Sequence, residues 1–286
     1  MVLVADSGST KTHWMMGCLD GSRCDIVSVG LPPRMTTDEQ FREVTRQVAS
    51  QLFAAGSPQH IFFYGSGCSG AQHQERYRCL LQEQWPMAVV TVESDLMGAC
   101  RALLSDGSGL VGILGTGSNA CRYVDGAIVS QLPSLGYLMG DEGSGYHLGA
   151  ILWKHYWKQQ LPSHLQHAFH EQFPYTLQEF LDAVYQHPHP NRFLAEATRF
   201  VFDYRDEPAM QELVRESFAF YLRQQIVPLT DGSDSRLSFV GGVAWSFVEL
   251  LRQTVAVICP TLRVDSVLAD PVQQLVDYHL KKIEQQ

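Results

Sequence analysis

The chain of 286 residues is 45% hydrophobic and 18% charged, and 21 Lys and Arg stand against 30 Asp and Glu for a net charge of −9. That balance argues against nucleic acid or an anionic membrane surface as the main partner, although backbone amides, a metal ion and one or two cations can still hold phosphate locally. The seven cysteines, an odd number without CxxC spacing, suit scattered thiols in a reducing compartment rather than a disulfide framework.

The N-terminal Met-Val-Leu-Val-Ala-Asp has no basic lead and reads as a first strand, not a signal peptide. Val2 to Ala5 is a short apolar run of the kind that forms a buried strand, and Asp6-Ser7-Gly8-Ser9-Thr10 supplies turn chemistry. From Lys11 the β-rich "THWMMGCL" resumes, Asp20-Gly21 turns it, and "CDIVSVG" makes a third strand of an antiparallel meander. A Walker loop needs glycine before its lysine and a helix after it. Thr10 precedes Lys11 here and a strand follows, so this is not a P-loop. Taken alone, the turn is either a plain hairpin or an anion-holding array of backbone N–H groups and hydroxyls.

Segments 38–55 and 72–84 suit helices, and "HIFFYG" (60–65) and "MAVVTVES" (87–94) suit strands. Asp95 opens the predicted helix "DLMGACRALL", where it can serve either as a cap with Ser94 or as a reactive carboxylate at a strand end. The opening pattern then recurs: "GLVGIL", the turn "GTGSN" (115–119), "ACRYV", Asp125-Gly126 and "AIVSQL". Two copies of strand, small-hydroxyl turn, strand, Asp-Gly and strand predict an internal duplication, with two lobes facing each other across a cleft. Residues 145–225 read as mostly helical, "RLSFVGGVAWSF" (236–247) as strand, glycine pair and helix start, and the segment from Pro271 as a terminal helix. In "QHPHPNR", His187 and His189 have no cysteine or acidic partner at ligand spacing and read as a solvated connection.

In this order the pieces resemble the sugar kinase, heat-shock cognate and actin superfamily, and within it the branch of N-acetylglucosamine kinases and BadF/BadG-type ATPases. "DSGSTKT" looks like the first phosphate motif, "LGTGSN" like the second and "FVGGVA" like the adenosine motif. "GYLMGDEGSG" (136–145) is similar to the loop that carries substrate contacts in N-acetylglucosamine kinases, and "PNRFLA" (190–195) to a family-typical helical segment. The resemblance implies a two-lobed, ribonuclease H-like (actin-like ATPase) α/β fold with duplicated mixed sheets flanked by helices. The implied lobes are 1–104 and 105–270, with a helical insertion at about 145–235 and a C-terminal helix from about 271 to 286 that can pack back on the first lobe.

It also implies an ATP-dependent sugar kinase using Mg²⁺ and able to form a homodimer, with N-acetylglucosamine or a related amino sugar as substrate, in a chain whose thiols and N-terminus already point to the cytoplasm. Asp6 would hold Mg²⁺ through water, its alternative being a turn former. Gly8, Ser9, Thr10 and Lys11 would meet the β- and γ-phosphates, and Thr116, Gly117 and Ser118 the other side of the phosphate chain. Gly241 and Gly242 would admit adenosine, or a close helix–strand contact. Asp95 would be the general base and touch the substrate hydroxyl. Gly136 and Asp141 would contact the sugar, with Glu142 left open as structural or ligand-facing.

Two positions depart from the family. Pro32, in "VGLPPRMTT", stands where the sugar-binding asparagine falls, and it offers neither side-chain amide nor backbone N–H. His13 stands where many relatives have aspartate. The first departure keeps open a catalytically weak sugar or nucleotide sensor. A BadF-type activator ATPase is the other alternative, and its bridging iron–sulfur cluster would need thiolates that the scattered cysteines do not suggest.

Overall fold

The computed structural model describes residues 1–52, 56–186, 189–232 and 236–285. His187 therefore lies outside the described residues, as does the end of the helix predicted over 38–55. The chain is an α/β protein built on two five-stranded sheets. By the density of its contacts it divides into two units: residues 1–111, 123–129 and 270–286, and residues 112–122 with 130–269.

The first sheet runs β3 (Arg23–Val29), β2 (Lys11–Gly17), β1 (Val2–Ser7), β4 (His60–Gly65), β5 (Val89–Ser94). β1, β2 and β3 are antiparallel, whereas β4 and β5 run parallel to β1. Successive strand residues point to opposite faces, and this central strand is covered on both. Leu3 and Ala5 join the core under α1 (Asp38–Leu52) and α2 (Ala71–Gln84) with Trp14, Phe41, Phe63 and Tyr77. Val2 and Val4 join the opposite core with Met15, Tyr64, and Val272, Leu275, Val276 and Leu280 of the terminal helix α12 (Val272–Glu284). α3 (Asp95–Leu104) follows β5 directly.

The second sheet has the order β10 (Arg263–Leu268), β9 (Arg236–Val240), β6 (Gly109–Leu114), β7 (Ser118–Val124), β8 (Ala127–Gln131). The predicted helical block is α4 (Gly145–Trp157) to α9 (Pro208–Tyr221), and α9 ends in a π turn, Leu222–Ile226. α4 buries Trp153 against Phe169, Phe173, Tyr175, Phe180 and Phe193. A short helix α10 (Gly242–Ser246) leads to α11 (Val248–Ile258) and β10, and neither of these last two was read from the sequence. β10 is an edge strand whose charged residues weaken its apolar alternation.

Candidate active site

In the first unit the two-residue period of the strands does the placing. Val2 and Val4 face α12, so Asp6 at the end of β1 points the same way. On β2, Met15 faces α12, and Lys11 and His13 share its face. The N-terminus of α12 thus meets Lys11 and His13 through Asp270, two residues before the helix, whose charge also bears on Asp6. Asp270 Oδ2 lies 3.2 Å from Lys11 Nζ and 3.0 Å from His13 Nδ1, and Oδ1 accepts the Val272 N–H at 3.1 Å. The other ring nitrogen of His13 is 3.2 Å from Asp25.

Burial works against the charge of Asp270, yet the His13 hydrogen bond and the Val272 N–H hold its carboxyl at about 2. The same Asp270 contact raises His13 above its ordinary value against the opposing effect of burial. Asp6 moves the opposite way. Burial first, then the charges of Asp270 and Asp95, raise it from 3.8 to about 8, and Lys11 and His13 offset only part of this. Neither Asp270 nor the bridging role of His13 was read from the sequence. "DP" before a helix signals a cap, but nothing local shows which side chains, more than 250 positions earlier, the cap will touch.

β1 and β5 both run parallel to β4, so Asp6 and Asp95 emerge at the same edge of the sheet, the carboxyl ends of these strands. The helix cap at this corner belongs to Ser94, whose side chain accepts the Met97 N–H at 3.2 Å. The turn after Asp6 closes through Gly8 N to Lys11 O, 3.0 Å, with Ser9 and Thr10 at its tip. Lys11 is 61% exposed and so can reach a ligand from its place beside Asp270. Pro32 O accepts the N–H groups of Met35 and Thr36, and Arg76 pins the same loop by donating to Pro33 O and Thr36 O.

In the second unit the turn between β6 and β7 is stitched to the start of α4. Gly145 N donates to Gly115 O at 2.8 Å and Tyr146 N to Thr116 O at 3.1 Å. Ser144 caps α4 by accepting the His147 N–H. Asp141, at φ +60°, accepts the Ser118 N–H on Oδ1 at 3.0 Å, and both its carboxylate oxygens lie 3.0 Å from where a Cβ on Gly117 would stand. Burial raises the Asp141 carboxyl, the Ser118 N–H lowers it, and neighbouring Glu142 raises it again. Glu142 accepts from Gln225 Nε2 at 3.2 Å, which ties it to the π turn after α9. Gly136, at φ +70°, turns the loop and accepts the Met139 N–H on its carbonyl.

The glycine pair separates into two cases. At Gly241, φ is +127° and a Cβ would stand 2.3 Å from Leu114 O, so close packing against the end of β6 demands glycine. At Gly242 nothing lies within 4 Å, which leaves space beside the chain. Among the described residues, no group of three or more His, Cys, Asp or Glu side chains is arranged to hold a metal ion, and no helix is long and apolar enough to cross a membrane.

No protein-family model and no curated protein matches the chain. Among solved structures, it is 32% identical to a candidate N-acetylglucosamine kinase from Porphyromonas gingivalis over 99% of this chain and 100% of that one, with a TM-score of 0.92. A candidate N-acetylglucosamine kinase from Chromobacterium violaceum is 17% identical over 97% of this chain and 98% of that one, at TM-score 0.73. A ROK-family glucokinase from Streptomyces griseus, solved with glucose and AMPPNP, is 12% identical over 100% of this chain and 99% of that one, at TM-score 0.58. The last two likenesses speak to the fold alone.

Proposed function

The chain belongs to the N-acetylglucosamine kinase family of the sugar kinase, heat-shock cognate and actin superfamily, and from that premise we propose that it transfers the γ-phosphoryl group of ATP to a hydroxyl of an amino sugar, N-acetylglucosamine or a close relative. The observation that carries this reading is the emergence of Asp6 and Asp95 at one sheet edge, beside the turn that holds Lys11. Asp95 accepts the proton of the attacking hydroxyl as the new O–P bond forms and ADP leaves. Ser94 caps the helix by accepting the Met97 N–H, while Asp95 Oδ1 accepts the Leu96 N–H at 2.9 Å. Lys11 exchanges Asp270 for a phosphate oxygen, and its long stem suits a phosphoryl group that moves. With Gly8 closing the first turn onto Lys11 O, the amides and hydroxyls of Ser9 and Thr10, and those of Thr116, Gly117 and Ser118, supply neutral donors to the phosphates. Gly242 leaves room for the adenosine, with Gly241 shaping the approach. Gly136 and Asp141 belong to the loop assigned to the sugar.

Asp6 fits Mg²⁺. Its carboxyl is raised to about 8 beside two further carboxylates, and a nearby divalent cation would favour its charged form. Mg²⁺ bound with ATP commonly keeps several waters and takes one or two carboxylates, so a single Asp suffices. When bound, the ion neutralises charge on the transferring phosphoryl group.

ADP release coupled to a panel of amino sugars tests the proposal. Sugar-dependent release is expected, falling by about 10²–10⁴-fold in Asp95→Asn, the usual worth of a positioned base. ATP binding without turnover on any sugar would replace the kinase by a sensor.

A further inference from the structure

The assigned sugar contact Asp141 is engaged elsewhere. Its carboxylate accepts the Ser118 N–H and fills the space over Gly117, two of the three turn positions assigned to phosphate. A carboxylate on a turn amide uses the same chemistry as a phosphate oxygen: an anion accepting a backbone N–H. Ser118 Oγ, in the same turn, is buried without a hydrogen-bond partner, so the turn has a further donor for an anion. Asp141 reaches it from the left-handed region, at φ +60°, a conformation that costs an aspartate something and needs support. That support is visible. Ser144 Oγ donates to Asp141 O at 2.5 Å, and His147 Nδ1 accepts the Gly143 N–H at 3.3 Å and lies 2.7 Å from Ser217 Oγ.

We infer that Asp141 is an internal stand-in for phosphate: its carboxylate occupies the Ser118 N–H, and an ATP or ADP phosphate bound there must displace it. The inference rests on the phosphate and sugar assignments proposed above. Two negative groups cannot share one N–H, so Asp141 and the nucleotide exclude each other at this point. A sugar hydroxyl that donates to Asp141 draws the carboxylate away from the turn and so favours nucleotide. By reciprocity nucleotide favours sugar to the same degree. The chain then holds ATP weakly until the acceptor arrives, which limits wasteful hydrolysis.

Calorimetric titration of ADP, with and without N-acetylglucosamine, decides this in the wild type, Asp141→Asn and Asp141→Gly. Both variants tolerate the left-handed backbone, and asparagine keeps the acceptor oxygen while losing the charge. In the absence of sugar, Asp141→Gly is expected to bind ADP about tenfold tighter than wild type, with Asp141→Asn between them, in the range of ordinary coupling factors. Sugar should tighten ADP binding in the wild type and leave it unchanged in Asp141→Gly. Equal or weaker ADP binding by both variants, with the wild type binding normally, would overturn the stand-in and leave the kinase reading intact. Failure of the wild type to bind any nucleotide would instead sink the reading on which it rests. Should Asp141→Gly fail to fold by thermal melting, Asp141→Asn carries the comparison.

Discussion

Asp270 meets Lys11 and His13 at once, and gains a backbone N–H as well. Its hydrogen bond is the largest influence on His13, so Asp270→Asn should bring the His13 pKa down toward its ordinary 6.5, which an NMR titration of the ring would show. Lys11→Met should cost about 10²-fold in kcat/KM for ATP, as loss of one charged donor to a transferring group commonly does, while sugar affinity stays near wild type. Steady-state kinetics with each substrate varied checks the split. The roles expected of Lys11, Asp6 and Asp95 come from the family resemblance, since the residues alone leave a plain hairpin, a turn former and a helix cap open. The Asp270 contact could not be read from the sequence, because a cap residue announces its own helix but not what a helix closing the chain will pack against.

At the scale of elements, two contacts carry measurable stability. The Ser94 cap holds the first turn of α3 and with it the corner at Asp95. Ser94→Ala should lower stability by about 1 kcal/mol in urea unfolding, a usual worth for such a cap. Gly149 lets α4 lie against α7 (Pro190–Glu196) so closely that a Cβ would stand 1.9 Å from Leu194 O, a backbone atom with little freedom to yield. Gly149→Ala should therefore destabilise by at least the roughly 1–3 kcal/mol typical of overpacking, read from the same melts. Apolar spacing marked α4 and α7 as helices, whereas their approach distance depends on two surfaces distant in sequence.

For the whole molecule, two buried groups tilt stability against pH in opposite directions. Asp6 titrates at about 8 when folded against 3.8 when free, so between these values the folded chain holds a proton that the unfolded chain has lost. The Asp6 contribution to stability falls as pH rises from about 4 to 8, and Asp6→Asn should flatten the melting-temperature profile above about 6.5, where His279 no longer offsets it. His279 does the reverse. Burial lowers it to about 3, so between that pH and its ordinary 6.5 the unfolded chain binds the extra proton, and its contribution to stability falls as pH drops through that range. His279 sits at 2.7 Å from Tyr64 OH and stacks on Phe62, which makes α12 the element whose docking this acid limb reports. Sequence alone determined the two strand–turn–strand–turn–strand copies, the strand ends bearing Asp6 and Asp95, and the helical block, because these follow from side-chain period and turn chemistry within a few residues. Tertiary structure alone decided that Asp270 would clasp Lys11 and His13, that Asp141 would lie on the Ser118 amide, and that Gly241 would answer to packing. Each of these joins residues far apart along the chain, and local propensity carries no information about which distant surfaces burial will press together.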